Sequence, residues 1–373
     1  MELFDALYHE KSITFIDVRD AMEAYWIAIS KGKVGETYNI GGNQVLKVGE
    51  FLEEAPSITL TDGHATTHQM LFGDRTRLPL DHHLATEVTG SNRPLAHSIM
   101  AMGFCIGQTT YATQNVMGNL FYRGLVLKKP VYIGDTLSTK TQIVALRQNK
   151  IKGGRPSTGM VGLEITTTNQ RGEEIMRFWR CPMVPCRDPK THTKHADDLD
   201  IMPSDIPTET LMSAVPTAWN LNTFRQRFSG VHFDQVNENV CYKIKARDTV
   251  TSAPELTRLT LNLAMTHTDA GASVYGKRLV YGGHTISMAA AQLIRALPNV
   301  VSILAWRHCN HIAPVFEEDI LYSEISVIKK TPLDSGGGLV DLHINVWADR
   351  GENAPKECKN DHVLDWGLVI LMA

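Results

Sequence analysis

The sequence contains no apolar run long enough to cross a membrane, and it has no strong excess of charge of either sign. Its 37 Lys and Arg against 40 Asp and Glu leave a net charge of −3. That balance gives no electrostatic reason to expect nucleic acid or an anionic membrane surface as a partner. No stretch approaches the roughly 18 apolar residues of a membrane helix, and the N-terminal MELFDALYHEK is too charged for a secretory signal. These absences predict a cytoplasmic protein.

Metal-binding and redox patterns are missing as well. The six cysteines occur without a CxxC pair, so we expect reduced thiols and no disulfide framework. His64 and His68 lack the glutamate of HExxH and a third ligand. The run from His308 to His311 has no second half at zinc-like spacing, and Asp81-His82-His83 stands alone. The sequence therefore predicts no metal and no redox cofactor.

The first 45 residues predict a strand, a helix and a second strand, with the first strand at Ser12 to Ile16. The segment FIDVRDAMEAYWIAISKGKVGETYNIGG resembles a late part of extended short-chain dehydrogenases of the GDP-mannose dehydratase type. The Gly-rich turn that binds a dinucleotide and a Tyr-xxx-Lys catalytic pair are both missing. Residues 1–45 are therefore interpreted as an inactive dehydrogenase-like fragment, which joins the rest of the chain between residues 43 and 57.

Residues 46–186 carry the pattern of one α+β domain. A capped helix at Thr61 to Phe72 and a long apolar helix from Leu95 to about Ala112 come first. The predicted strands that follow are Pro130 to Ile133, Leu137 to Leu146, Thr158 to Thr168 and Glu174 to Val184. A buried helix followed by antiparallel strands favours an α+β layer over βαβ units. Residues 187–217 are polar and contain prolines, which predicts a linker. Residues 218–373 repeat the pattern of a long helix followed by antiparallel strands.

Two segments of the chain repeat at one offset of 184 residues. The run PVYIGDTL from Pro130 resembles PVFEEDIL from Pro314, and LAHS from Leu95 falls on LVYG from Leu279. Two matches in one register, about 35 residues apart, indicate two copies of one helix-plus-sheet unit packed as a pseudo-dimer.

The stretch from Asn262 to Met288 carries the residues that favour chemistry on a thioester. The polar residues Asn262, His267 and Asp269 come before Tyr281-Gly282-Gly283, and an apolar helix is predicted from His284 to Leu297. Imidazole titrates near neutral pH, and the free N–H groups of a helix start can hold a developing oxyanion. A plain loop histidine ahead of a buried helix is the alternative interpretation.

The repeat distinguishes the two copies, because the histidines align while their polar partners do not. At the offset of 184 the aligned pairs are His83 with His267, Leu78 with Asn262, Ala85 with Asp269 and Ser98 with Gly282. A histidine without polar partners makes a poor acid–base group. We therefore expect the first copy to cover the substrate and the second copy to transform it.

These residues and this architecture resemble the MaoC-like, R-specific enoyl-CoA hydratases, which are built as a double hotdog. The matching segments are VYIGDTLST from Val131, LRQNK from Leu146, RLVYGGH from Arg278 and the ending from Val363 to Met372. Within the family, the likeness is closest to the branch that hydrates mesaconyl-CoA (2-methylfumaryl-CoA) to β-methylmalyl-CoA. The resemblance implies a non-catalytic hotdog at residues 46–186 and a catalytic hotdog at residues 218–373, behind a short N-terminal α/β extension.

The family motif is an Asp, an Asn two residues later, then Pro-x-His-x-Asp, followed downstream by His-Gly at a helix start. His267 and Asp269 match this motif. Asn262 stands at the position of the Asp, Ala264 at that of the Asn and Tyr281 at that of the His in His-Gly. Since an amide cannot take up a proton as a base, the resemblance implies that Asn262 positions water.

The resemblance also implies roles for the remaining residues. His267 would exchange a proton with water and the substrate carbon, and the helix-start glycines Gly282 and Gly283 would stabilise the thioester enolate. Asp269 would either orient His267 or serve the loop. Tyr281 would contact the substrate. Arg278 would bind its free carboxylate or a CoA phosphate, and the alternative interpretation is an exposed, solvated arginine.

The predicted function is that of a hydro-lyase acting on a branched α,β-unsaturated acyl-CoA, with CoA present only as part of the substrate. One alternative is a general R-specific enoyl-CoA hydratase or acyl dehydratase. Another is an inactive hotdog fusion or thioester-binding protein. A sugar-nucleotide oxidoreductase is disfavoured by the missing dinucleotide fingerprint. Because hotdog units commonly pair, we expect a homo-oligomer.

Overall fold

A computed structural model of the chain describes residues 12–15, 44–47, 52–151, 156–186, 190, 192–351 and 360–373. The strands and helices up to the middle of the chain are β1 Ser12–Phe15, β2 Gln44–Lys47, β3 Leu52–Glu54, β4 Ile58–Thr59, α1 Asp62–Phe72, α2 Arg77–Leu80, α3 His82–Thr89, α4 Ser98–Gln108, β5 Gly118–Leu127, β6 Thr136–Gln148, β7 Thr158–Thr168 and β8 Glu174–Pro185. Those that follow are α5 Thr208–Ala214, α6 Leu221–Arg227, β9 Cys241–Lys243, β10 Asp248–Thr249, α7 Ala253–Leu259, α8 Gly282–Ala296, β11 Val300–His311, β12 Ile320–Pro332, β13 Gly338–Asp349 and β14 Asn360–Met372.

One large antiparallel sheet runs through both halves of the molecule. Its order is β10-β12-β13-β14-β11-β5-β8-β7-β6-β3, and β11 meets β5 in the middle, where Ala305 pairs with Val126. The order β12-β13-β14-β11 is mirrored by β6-β7-β8-β5 on the other side of that junction. The antiparallel α+β architecture and the pseudo-dimer predicted from the sequence are thus confirmed in the sheet.

The offset of 184 residues holds through the long helices and the strands that follow them. Helix α4 begins at Ser98 and α8 at Gly282, and β6 and β12 each contain 13 residues at this spacing. Even a buried side-chain contact repeats, because Gln108 donates to the Leu137 carbonyl as Gln292 does to that of Leu321, both at 3.1 Å. One fold unit therefore occurs twice.

Aromatic side chains close the core between the halves. Trp306 on β11 packs edge-on against Trp366 on β14 and against Tyr122 on β5, with ring centroids 5.4 and 5.8 Å apart. All three side chains are buried. Since Trp306 contacts an aromatic ring on each side of the junction, the two halves share one core.

The strand predicted at Pro130 to Ile133 is instead a turn with a single bridge between Leu95 and Tyr132. The strand β5 was not predicted. Gly124 within it has a φ of +58°, and the pairing of β5 with β8 shifts register between Arg123 and Val126. Such a bulge breaks the alternation of apolar and polar residues by which strands are recognised.

The predicted linker at 187–217 is partly folded. Helix α5 lies within it and buries Leu211 and Ala214 against a cluster that includes Val126 and Leu304. Of the dehydrogenase-like fragment, β1 pairs antiparallel with β2, and its predicted helix and second strand lie outside the described residues. Cys105, Cys181, Cys241 and Cys309 are free thiols. No helix in the described ranges has the length and apolar character that a bilayer crossing requires.

Candidate active site

A cavity that is open to solvent lies where the two halves meet. Its wall is built from the start of α8, the end of β11, strands β5 and β8, and the 3-10 helix Met265–His267. Of the site residues predicted from the sequence, His267, Tyr281 and Gly282 line it. Both halves therefore contribute to one site, although the predicted chemistry comes from the second.

His267 is held as a neutral base. Its Nδ1 lies 2.8 Å from the carbonyl oxygen of Leu279, and because a carbonyl only accepts, Nδ1 carries the proton and Nε2 keeps a free lone pair. Burial lowers the pKa of His267 to about 4, against the raising effect of the Leu279 hydrogen bond and with a further lowering by the cation of Arg180. At neutral pH the ring can accept a proton from water.

The start of α8 places free N–H groups at the same cavity. Tyr281 is the N-cap and gives no side-chain hydrogen bond to the helix, so the first-turn N–H groups of Gly282 and Gly283 have no partner from it. Tyr281 is buried, its ring centroid lies 5.5 Å from that of His267, and burial raises its pKa well above 10. Its hydroxyl therefore stays protonated and can donate.

A second imidazole, His311, lies against this helix start. A Cβ on Gly282 would come within 2.3 Å of Cε1 of His311, which explains the glycine at this position. Burial, together with the nearby His267, lowers the pKa of His311 to about 4. In the sequence, His311 was considered only as part of an incomplete metal motif, and its place in the site was missed.

The other four predicted residues, Asn262, Asp269, Arg278 and Gly283, are not in the described lining of the cavity. Asn262 is buried and its Oδ1 accepts from the Ala264 N–H at 2.9 Å, but among the described residues the cavity wall includes Ala264 and not Asn262. The Oδ1 of Asp269 accepts from the Gly271 N–H at 2.8 Å in an exposed turn, while Leu279 orients His267. These contacts agree with a structural role of Asp269 in its loop, which was one of the two roles expected from the sequence.

The other substrate-binding candidate, Arg278, forms an ion pair with Glu317 at 2.6 Å and is about half exposed. It is absent from the described lining of the cavity. Gly283 lies one residue behind the wall, where a Cβ would come within 2.6 Å of the Tyr281 ring. A side chain at either helix-start glycine would thus displace a ring of the site.

The first copy contains a polar pair that the sequence comparison did not find. Nε2 of His97 lies 3.1 Å from Oδ1 of buried Asp74, at the start of α4. Asp74 Oδ1 also accepts from the N–H of Thr76, two residues on, as Asn262 does from that of Ala264. These two turns lie 188 residues apart, and His83, which the offset of 184 pairs with His267, is exposed on α3.

His308 joins residues from two other strands. Asp365 Oδ1 lies 2.9 Å from His308 Nε2 and 2.6 Å from His343 Nε2, and the possible ligand atoms of these three residues lie within 4.8 Å of one another. The partners of His308 come from β13 and β14, which is why a search along one segment found no second half. None of the three is among the described residues that line the cavity.

Two fully buried histidines predict how stability depends on pH. Burial, first among several causes, lowers the pKa of His68 to about 3, and burial lowers that of His284 to about 4. The unfolded chain, with a histidine pKa near 6.5, binds protons between pH 6.5 and 4 that the folded chain excludes, so stability falls as the pH drops through this window. We expect a loss of about 2 kcal/mol per histidine from pH 7 to pH 5. Urea unfolding at both pH values measures it, and an unchanged pH dependence in His284→Gln would contradict this account.

Comparison with known proteins was made by sequence and by structure. No family model matches the chain. A β-methylmalyl-CoA dehydratase of Chloroflexus aurantiacus is 30% identical over 312 residues, which cover 82% of this chain and 86% of that protein. A conserved hypothetical protein of Mycobacterium tuberculosis with a double hotdog fold is 41% identical, with a TM-score of 0.81 over 88% of this chain and 97% of the other.

A second solved structure, that of a putative MaoC domain protein dehydratase from Chloroflexus aurantiacus, is 25% identical. It superposes with a TM-score of 0.72 over 88% of this chain and 95% of its own. The mirrored sheet described above is the double hotdog of these proteins. The chain belongs to the MaoC-like double-hotdog family that includes β-methylmalyl-CoA dehydratase.

Proposed function

We propose that this protein catalyses the reversible addition of water to the double bond of a branched enoyl-CoA, with mesaconyl-CoA and β-methylmalyl-CoA as the pair. The observation that carries the proposal is the free Nε2 of neutral His267, which shares one cavity with the helix-start N–H of Gly282. A base and an oxyanion site are the two parts that hydration of an enoyl thioester needs.

In the proposed mechanism the thioester carbonyl accepts hydrogen bonds from the start of α8. His267 removes a proton from water while the water oxygen bonds to the β-carbon, and the electron pair of the double bond moves to the thioester as an enolate. The N–H groups of Gly282 and Gly283 stabilise that enolate. The imidazolium then returns the proton to the α-carbon, so the sum is one water added.

A groove beside the cavity fits the CoA part of the substrate. It shares Val116, Met117 and Val274 with the cavity wall. Lys150 lies on its lining and offers a cation for a phosphate group. This groove replaces Arg278, paired with Glu317, as the proposed CoA contact.

The experiment is to follow the absorbance of the enoyl thioester with mesaconyl-CoA and with crotonyl-CoA. We expect the purified protein to hydrate mesaconyl-CoA with the higher kcat/KM. Turnover of crotonyl-CoA alone would replace the narrow function with that of a general enoyl-CoA hydratase. Turnover of neither would favour the inactive, thioester-binding alternative.

A further inference from the structure

We infer that Arg180 binds the free carboxylate of the acyl group, and that the site is thereby specific for dicarboxylic acyl-CoA thioesters. The inference rests on the proposed function, since it assumes an enoyl thioester in the cavity. Arg180 of the first copy thereby takes the role of carboxylate-binding residue, which the family resemblance had implied for Arg278.

The charge of Arg180 is buried without a carboxylate beside it. The side chain is 2% exposed, and its Nη1 and Nη2 donate to the hydroxyls of Thr109 and Thr113 at 2.6 and 2.8 Å. Nε is buried and has no hydrogen-bond partner in the described part of the chain. A buried guanidinium with only neutral partners costs free energy, which an anionic ligand would recover.

The ionisable groups that act on Arg180 stay neutral near pH 7. They are Tyr122, Tyr281 and Cys181, and burial raises the pKa of each, in the case of Cys181 to about 11. Arg350 of the second copy, whose side chain is 14% exposed, is by contrast paired with Asp319 and Asp361. Arg180 therefore differs in lacking an acidic partner among the described residues.

Arg180 also lies where an acyl group would end. It projects from β8 of the first copy into the same cavity wall as His267 and Gly282. Its cation lowers the pKa of His267, which places the two side chains within electrostatic reach. The cavity wall is largely apolar, with Leu120, Val116 and Ile312 among its members. One fixed cation in an apolar cavity selects an acyl group that carries a carboxylate.

A structural role accounts for only part of these contacts. Thr109 donates in turn to the carbonyl of Ile106, so Arg180 also supports the carboxyl end of α4. That role uses Nη1 and Nη2 but leaves buried Nε without a hydrogen-bond partner among the described residues. The two roles predict different substrate profiles.

The test compares Arg180→Met with the wild type on mesaconyl-CoA and fumaryl-CoA, which carry a carboxylate, and on crotonyl-CoA and tiglyl-CoA, which do not. We expect kcat/KM for the dicarboxylic pair to fall at least about a hundredfold, with little loss for the neutral pair. Arg180→Lys should restore part of the preference. Arg177→Met, on the same strand and paired with Glu164 and Glu174, should keep the wild-type ratio.

An equal loss on all four substrates would overturn the inference and leave Arg180 as a support of α4. A wild type that hydrates fumaryl-CoA but not mesaconyl-CoA would refute the proposed substrate and keep the inference. Should the variants not fold, inhibition of the wild type decides: succinyl-CoA should bind at least about tenfold more tightly than butyryl-CoA. Equal inhibition by the two would overturn the assignment.

Discussion

Replacing His267 by alanine is expected to lower kcat/KM for mesaconyl-CoA by about 10² to 10⁴-fold, the usual contribution of a positioned acid–base group. Its Nε2 is the free base of the cavity, because Nδ1 is committed to the Leu279 carbonyl. The stability of the variant should change little, since the side chain of His267 lines the cavity and its Nδ1 hydrogen bond is to the carbonyl of the loop residue Leu279. Loss of enoyl-thioester absorbance with time measures the activity, and circular dichroism checks the fold.

The control is His83→Ala. His83 lies at the offset of 184 from His267 but is exposed on α3, so its loss should leave kcat/KM unchanged. A pH profile adds a second check. Because burial lowers the pKa of His267 to about 4, the wild type should keep its kcat/KM down to about pH 5 and lose it below, as the base becomes protonated. Full activity in His267→Ala would remove the proposed base.

The sequence predicted the elements that are fixed by local periodicity. Both long helices, and the strands β6 and β12 after them, follow the spacing read from PVYIGDTL and PVFEEDIL. Ahead of the helices the two copies differ: α2 and α3 lie between Asp74 and α4, whereas α7 and a 3-10 helix lead to His267. The elements ahead of the helices therefore do not follow the offset of 184, and His83, which that offset pairs with His267, is exposed on α3.

Site residues on strands that are far apart in the chain form no local sequence motif. His311 ends β11 and Arg180 lies within β8, and each reaches the cavity only because β11, β5 and β8 are neighbours across the junction. Arg180 lies in the run MRFWRC, between Trp179 and Cys181. An arginine at an inward-facing position of this strand indicated that the residue could belong to a site. Side-chain direction in a strand follows from period two, but which sheet face is the cavity follows only from the tertiary fold.

Gly282→Ala is the second substitution with a large expected effect, about 10² to 10³-fold in kcat/KM, which is the scale of losing one oxyanion donor. The added Cβ would lie 2.3 Å from Cε1 and 2.6 Å from Nε2 of His311. The His311 ring must therefore move, and a shift into the cavity would take the space where the thioester carbonyl is proposed to sit. The N–H remains, so the loss comes from blocked access to it, and it should show as a raised KM as well as a lowered kcat. Gly63→Ala is the matched control, because a Cβ there meets nothing closer than 3.5 Å.

A double-mutant cycle with His311→Ala identifies the cause of that loss. If the added methyl group acts by displacing the imidazole, Gly282→Ala should lower kcat/KM only slightly in the His311→Ala background, because the Cβ then meets empty space. The effects of the two substitutions would be strongly non-additive. If the methyl group instead blocks the thioester directly, the losses multiply. The first result would show that Gly282 is needed so that His311 can approach the helix start, and the second that the carbonyl itself comes within reach of the Gly282 Cα.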